Sequence, residues 1–354
     1  GRIKPRTIRV LPRGNWMDDS GEIVEPAVPH FLPVLKNGSR ANRLHLAEWL
    51  TSAATPLTAR VFVNRLWYLL FGSGLSSTLD DTGSQGEWPT HPGLLDWLAV
   101  EFVQSDWDVK HIVRLIVTSS AYRQSSLVSP RWLEYDPENR LFMRRGRFRL
   151  QAETIRDNAL AVGGLLNNQM GGKVAKPYQP TGYYSPMNFP KRKYSADMNA
   201  NQYRRGVYIH WQRQFLHPML RAFDAPTREE STAQRPVSNT PLAALTLMND
   251  PTFVEAAKGF ALRIINEAGA TDQQRLAWAW QTALGREPSG KELNVARAFL
   301  VEPRKRYQAD AKAADKLLAV GILRLHVNIA KPETAAWTVL GQTLLNLSET
   351  ITRN

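Results

Sequence analysis

From residue 43 onward, apolar side chains recur three and four positions apart, the spacing that lines one face of an α-helix. Leu44, Leu46, Ala47, Trp49 and Leu50 predict a short amphipathic helix after Asn42. Thr55-Pro56 supplies a cap and a first-turn proline for a second helix, which runs to Gly72-Ser73-Gly74 with Val61, Leu66 and Leu69 alternating with Arg60, Asn64 and Arg65. Thr90 and Pro92 start a third, with Leu94, Leu95, Trp97, Leu98, Val100, Phe102 and Val103 as its core face. Asp108 caps a fourth that carries Ile112, Val113, Leu115, Ile116 and Tyr122. A basic stretch over 141–150 leads into a helix expected from Gln151 to Leu166. Ser238-Asn239-Thr240-Pro241 caps a long apolar helix that Pro251 breaks near Asp250, and the remainder reads as a bundle with capping-box starts at Thr271 to Gln274 and Ser289 to Glu292.

Two stretches lack this period. Residues 1–40 place Pro5, Pro12, Gly14, Gly21, Pro26, Pro29 and Pro33 between short β-branched runs such as Thr7-Ile8-Arg9-Val10, which predicts an extended arm with one or two strands packed across the rest. Residues 171–202 are rich in Gly, Pro, Tyr and Asn and read as a long loop or lid, followed by a short strand at Val207-Tyr208-Ile209-His210-Trp211. The expected fold is therefore mainly α: a multi-helical globular domain with an extended N-terminal arm, one or two short β-strands or hairpins and a long loop-rich insertion. Its parts are an arm over 1–40, a helical core over 41–170, an aromatic and basic insertion over 171–237 and a helical bundle over 238–354, integrated into one structural domain. No internal repeat is visible.

Composition adds constraints. The net charge is +13, from 45 Lys and Arg against 32 Asp and Glu, which favours polyanionic partners. Most arginines stand beside carboxylates or aromatics, a setting for ion pairs and stacking. The 11 Trp point to large helical interfaces. The chain has no cysteine, which rules out disulfides, thiolate zinc sites and the thioether attachment of a c-type haem, and fits a periplasmic or extracellular location. No apolar run reaches the ~20 residues of a membrane span. The opening Gly1-Arg2-Ile3-Lys4-Pro5-Arg6 reads as a fragment of something larger.

An ordered series of motifs carries a family resemblance. It begins with Pro56-Leu57-Thr58-Ala59-Arg60-Val61, Val63-Asn64-Arg65-Leu66-Trp67 and Phe71-Gly72. Leu79-Asp80-Asp81-Thr82-Gly83, Pro89-Thr90-His91-Pro92, Ala121-Tyr122-Arg123-Gln124-Ser125 and Asp136-Pro137-Glu138-Asn139-Arg140 follow. Ala152-Glu153-Thr154-Ile155-Arg156-Asp157, Arg204-Arg205-Gly206-Val207-Tyr208, Leu247-Met248-Asn249-Asp250-Pro251 and Leu344-Leu345-Asn346-Leu347-Ser348-Glu349 complete it across nearly the whole chain. The series resembles a planctomycete-specific domain family of unknown function. Thr82 departs from the pattern, which commonly has phenylalanine after the paired acids. The resemblance implies the C-terminal module of a large exported protein, next to domains of the same parent or a separate chain carrying them, often with a cytochrome-c-like module. Haem is then expected in an adjoining module or partner, and no reaction is implied.

Four constellations can carry chemistry. Asp80 and Asp81 on a Gly-rich turn offer the hard oxygens calcium prefers, and His91 at a helix start suits a general base or ligand; turn and helix capping explain the same residues. Glu153, Arg156 and Asp157 share a helix face, with Arg149 one turn earlier. They suit an acid/base pair, with Glu153, Asp157 and His91 as catalytic candidates, a charged-ligand site, or a structural ion-pair network. Tyr178, Tyr183, Tyr184, Lys191, Arg192, Lys193 and Tyr194, then Tyr203, Arg204, Arg205, Tyr208, His210 and Trp211, alternate rings with cations, as sugar stacking with sulfate or carboxylate recognition requires; docking on a neighbouring domain uses them equally well. Phe223-Asp224-Ala225-Pro226 through Arg235 precedes the positive end of the helix at Thr240, where an anion or Glu229 or Glu230 is favoured. The expectation is an exported module that binds or processes acidic or sulfated polysaccharide, or else an interaction domain docking a neighbouring domain or c-type cytochrome. The basic residues match no nucleic-acid-binding module, so no nucleic-acid partner is expected.

Overall fold

A computed structural model describes residues 5–35, 40–187, 191, 193–213, 215–325 and 330–353. Among them are fourteen α-helices and four two-residue strands, a mainly helical chain with two small antiparallel sheets. The chain divides into two compact units, residues 1–145 and residues 146–354.

The first unit opens on the arm, where β1 (Ile8–Arg9) pairs antiparallel with β2 (Ile23–Val24), Ile8 opposite Val24. The expected packing of the arm is not seen: no described residue over 5–35 is buried. Its polar ties are few, chiefly Trp49 Nε1 donating to Pro33 O at 2.6 Å and Arg40 paired with Glu25. α1 (Arg43–Leu50) starts where Asn42 accepts from the amides of Leu44 and His45. α2 (Pro56–Phe71) ends at Gly72, whose φ of 84° is the left-handed turn that glycine takes without strain. α3 (Pro92–Gln104) differs from expectation at its start: His91 takes the cap position, because the Thr90 hydroxyl donates to Leu75 O instead. Trp97 and Val100 also lie half exposed rather than on its core face, since Leu95, Leu98, Ala99 and Phe102 define the buried stripe. α4 (Val109–Thr118) is capped by Asp108 and stops before Tyr122. α5 (Pro130–Tyr135) completes the unit. The core gathers Val63, Trp67, Phe71, Leu98, Phe102, Ile112, Ile116, Tyr122 and Phe142. Each large apolar side chain removed from water there contributes roughly 1.5–3 kcal/mol.

The second unit is closed at its ends by β3 (Phe148–Arg149), which pairs antiparallel with β4 (Thr352–Arg353). α6 (Ala152–Val162) stops at Gly163-Gly164, short of Leu166. The described residues from there to 217 are irregular, broken among them only by 3-10 turns at Ala200–Tyr203 and Gly206–Tyr208. The strand expected over 207–211 is absent, because the Tyr208 and Ile209 amides close tight turns onto Arg205 and Gly206 and Ile209 makes only an isolated bridge to Ala175. α7 (Pro218–Ala222) and α8 (Pro241–Asn249) lead to α9 (Pro251–Glu267), with the break at Asp250-Pro251 as expected. α10 (Asp272–Leu284) and α11 (Gly290–Ala309) begin with the two expected capping boxes. α12 (Ala311–Leu318), α13 (Lys331–Leu345) and α14 (Ser348–Ile351) finish the bundle. α9 is buried almost all round: Phe253, Ala257, Phe260 and Ile264 join Leu160, Trp337, Leu340 and Leu344 in one core.

Two charges lie inside α9. Glu255 accepts from the hydroxyls of Tyr178 and Tyr203, both at 2.8 Å, and from the Leu323 amide at 2.5 Å. One turn on, Lys258 Nζ donates to the carbonyls of Leu318, Val320 and Leu323. Each held by three hydrogen bonds, they avoid the cost of an unsatisfied buried ion and fix the chain after α12 and the tyrosine loop onto α9.

Candidate ligand groove

The second unit carries an open groove of about 870 Å³, walled by the 178–183 segment, α7 and α8 and reaching the start of α9. Most of its surface is apolar, from Pro180, Met219, Ala222, Leu242, Leu245 and the ring of Tyr183, with a few polar groups set among them. That mix is the usual constitution of a ligand site. Tyr183 is held by its hydroxyl, which donates to Leu216 O at 2.8 Å.

The groove's ionisable groups differ in how far they are already neutralised. Asp224, at a left-handed φ of 59°, accepts from Arg149 Nη2 at 2.5 Å and from the Ser238 amide and hydroxyl. Burial pushes its pKa up, but these bonds and the Arg149 charge outweigh it and hold the carboxyl below its usual range. Asp250 ends α8 and caps α9 by accepting from the Thr252 amide at 2.9 Å. Burial raises its pKa against the pull of that amide and of the Arg156 charge. Arg221, by contrast, is exposed and makes no ion pair or side-chain hydrogen bond among the described residues. With Asp224 paired to Arg149 and Asp250 engaged as the cap of α9, the groove presents in Arg221 a guanidinium that no ion pair among the described residues takes up, beside the positive N-terminal end of α8 at Thr240.

The residues singled out from sequence fall in several places. Tyr183 lines the groove, while Glu153, Asp157, Arg149 and Arg156 do not. Glu153 is held by Arg235 at 2.7 and 3.2 Å, a bidentate pair. Asp157 accepts from the Gly206 amide at 2.6 Å and lies 3.7 Å from Arg156 and 3.9 Å from the half-exposed Arg205, burial being the main cause of its raised pKa. Arg156 and Arg204 are corrections to the ligand-binding expectation, for both are buried. Arg156 donates to the carbonyls of Arg204 and Gln202, and burial lowers its pKa to about 10. Arg204 donates to the carbonyls of Gln169, Gly171 and Lys173 and stacks on Tyr208 at 4.0 Å. Tyr184 is likewise buried, edge-on to Tyr194, whose hydroxyl donates to Pro177 O. Arg192 lies outside the described residues.

In the first unit, His91 Nδ1 is 3.0 Å from the Thr90 hydroxyl and its ring tilts against Phe142. Asp81 accepts from the Gly83 amide at 2.8 Å in a local turn, and Asp80 is exposed. Among the described residues no three His, Asp or Glu side chains gather as metal ligands. No helix among the described residues is long and apolar enough to cross a membrane.

Arg221, Asn249, Asp250 and Gln179 were not legible as site residues. Arg221 is a single cation within the apolar run Met219-Leu220-Arg221-Ala222-Phe223, and Asn249-Asp250 read as a helix break. The signal available was the polar interruption of an otherwise apolar surface.

The fold and groove define a mainly helical, cysteine-free chain with a ligand-sized cleft in its second unit. Over residues 42–300 it matches the family model PSD1, described as a protein of unknown function (DUF1553), and the chain belongs to that family. No curated protein and no solved structure matches it.

Proposed function

We propose that the second unit binds an acidic polysaccharide, sulfated or uronic, along the groove between the 178–183 segment and α8. The observation that carries this reading is Arg221, a guanidinium without a partner among the described residues in a cleft whose two carboxylates are already engaged, Asp224 by Arg149 and Ser238 and Asp250 by the Thr252 amide. A guanidinium matches sulfate and carboxylate bidentately, and apolar walls with a tyrosine ring suit the faces of sugar rings. The net charge of +13 adds long-range attraction. A module with this ligand belongs outside the cytoplasm, the location that its lack of cysteine fits.

Calorimetric titration with a panel of sulfated and uronic glycans across a salt series is the test. Binding is expected to weaken steeply with salt, and Arg221→Ala to lose about 1.5–3 kcal/mol, roughly tenfold or more in affinity. Tyr183→Ala is expected to weaken it as well. Titrations that stay flat across the panel overturn the reading.

A second reading, an interaction domain for a neighbouring domain of the parent protein or a c-type cytochrome that carries its own haem, is favoured by the arm. Trp16, Met17, Phe31 and Val34 are 74–80% exposed there, an unusual display of large apolar side chains. Trp16→Ser with Phe31→Ser is then expected to abolish co-elution with such a partner and to leave glycan affinity unchanged. Co-elution that survives both substitutions removes this reading.

A further inference from the structure

The first unit holds a separate pocket of about 230 Å³, formed where α2 and α3 meet the 76–89 loop. Its inner wall is apolar, from Leu57, Val61, Leu79 and Leu95, and Trp88 stands at it with 81% of its surface exposed. Arg60 and Asp96 also line the pocket. Arg60 Nε and Nη2 both approach Asp96 Oδ1 at 2.7 Å, so Asp96 Oδ2 and Arg60 Nη1 are left without a hydrogen-bond partner among the described residues. Asn64 and Ser76, also in the lining, are closed on each other by two hydrogen bonds and offer nothing outward. Glu87 gives one oxygen to Arg140.

We propose that this pocket binds one neutral hexopyranose unit. It is smaller than the ~300–1,000 Å³ of sites for drug-sized ligands, which suits one ring rather than a chain segment. An indole kept in water at the mouth of a pocket offers a flat apolar face for the C–H face of a pyranose, and the polar tip of the ring stays wet. In the same lining, one free acceptor and one free donor on the Arg60–Asp96 pair match two neighbouring sugar hydroxyls. Neutrality of the ligand follows from charge: Arg60 is already paired with Asp96 and Glu87 with Arg140, so the pocket holds no unpaired cation for a uronate or sulfate among the described residues. The site therefore differs in ligand charge from the groove of the second unit and does not depend on it.

Saturation-transfer NMR of the whole chain with methyl glycosides of glucose, galactose and mannose, and with methyl glucuronide, is the test. Saturation of at least one neutral glycoside, with little or none of the glucuronide, is the expected result. Trp88→Ala, at an exposed position where folding is not at stake, is expected to weaken that glycoside at least tenfold, and Asp96→Asn to weaken it severalfold. Absence of transfer to every neutral glycoside, a stronger response from the glucuronide, or an unchanged response in Trp88→Ala overturns the proposal. Arg221→Ala serves as the control that leaves this site intact.

Discussion

A guanidinium taken out of water needs an acceptor for each proton or it costs several kcal/mol. Arg156 and Arg204 meet part of that demand through their Nη atoms, which donate to backbone carbonyls of the 169–173 and 202–204 segments and tie an irregular stretch together, while the Nε of each is buried without a hydrogen-bond partner among the described residues. His217 belongs to the same buried neighbourhood and answers it by losing its charge. Its Nε2 donates to Tyr178 O at 2.8 Å, and burial lowers its pKa from 6.5 to about 4. Between those values the unfolded chain binds the proton and the folded chain does not. Stability contributed by His217 is thus complete above about pH 6.5 and is lost as pH falls toward about 4. The expected loss between about pH 7 and about pH 4.5 is ~2–3 kcal/mol from this residue. His217→Gln keeps a donor for Tyr178 O and has nothing to titrate, so its urea midpoint should fall by that much less over the same interval. An identical pH slope in the variant would assign the acid sensitivity to other groups.

Helices show how much of this molecule was legible in its sequence. Asn42, Asp108, Thr240, Thr271 and Ser289 each bond to amides two or three residues ahead, a local interaction that spacing alone reveals. Residues 171–202 were readable only as a loop and 207–211 read as a strand, because what positions this stretch is distant: Tyr178 and Tyr203 reach Glu255, and Arg204 reaches back to residue 169. The groove fails to show for the same reason, since its walls come from elements about seventy residues apart and, of its lining, Tyr178 and Tyr183 carry a recognisable ring-and-cation context. Close helix packing was equally hidden. At the end of α6 a Cβ on Gly163 would lie 2.5 Å from Ala256 O, and one on Gly259 of α9 would lie 2.5 Å from Gly163 O. These two glycines let the end of α6 rest directly on the backbone of α9. Alanine at Gly259 should gain ~1 kcal/mol of helix propensity on an exposed helix. Here the overlap with backbone is expected to reverse the sign and cost ~1–3 kcal/mol. Gly290→Ala, with nothing within 4 Å of its Cβ, is the control and should leave the melting temperature unchanged or raise it. A Gly259→Ala protein as stable as that control would show that α6 shifts away without cost.

At the scale of the whole molecule the decisive feature is that each of the two units has, among the described residues, a hydrophobic core of its own. One core draws only on residues between Ala59 and Phe142, the other on residues between Ala152 and Leu345. The second unit also closes on itself: β3 at its start pairs with β4 at its end, and the Leu150 amide donates to Ile351 O at 2.8 Å. A body of more than about 150 residues with its own core buries enough of its surface to fold unaided. Residues 146–354 expressed alone are therefore expected to unfold in one cooperative calorimetric transition. Because every residue lining the groove lies within that unit, the fragment should also bind sulfated glycan with the affinity of the whole chain, within about threefold, or ~0.7 kcal/mol. Cutting the start back to residue 151 removes β3 and the Leu150 amide together, and should lower the melting temperature by several degrees while leaving the groove's residues in place. A fragment that melts without cooperativity, or that folds and binds the glycan much more weakly than the whole chain, would mean that the first unit contributes to the stability or the binding site of the second.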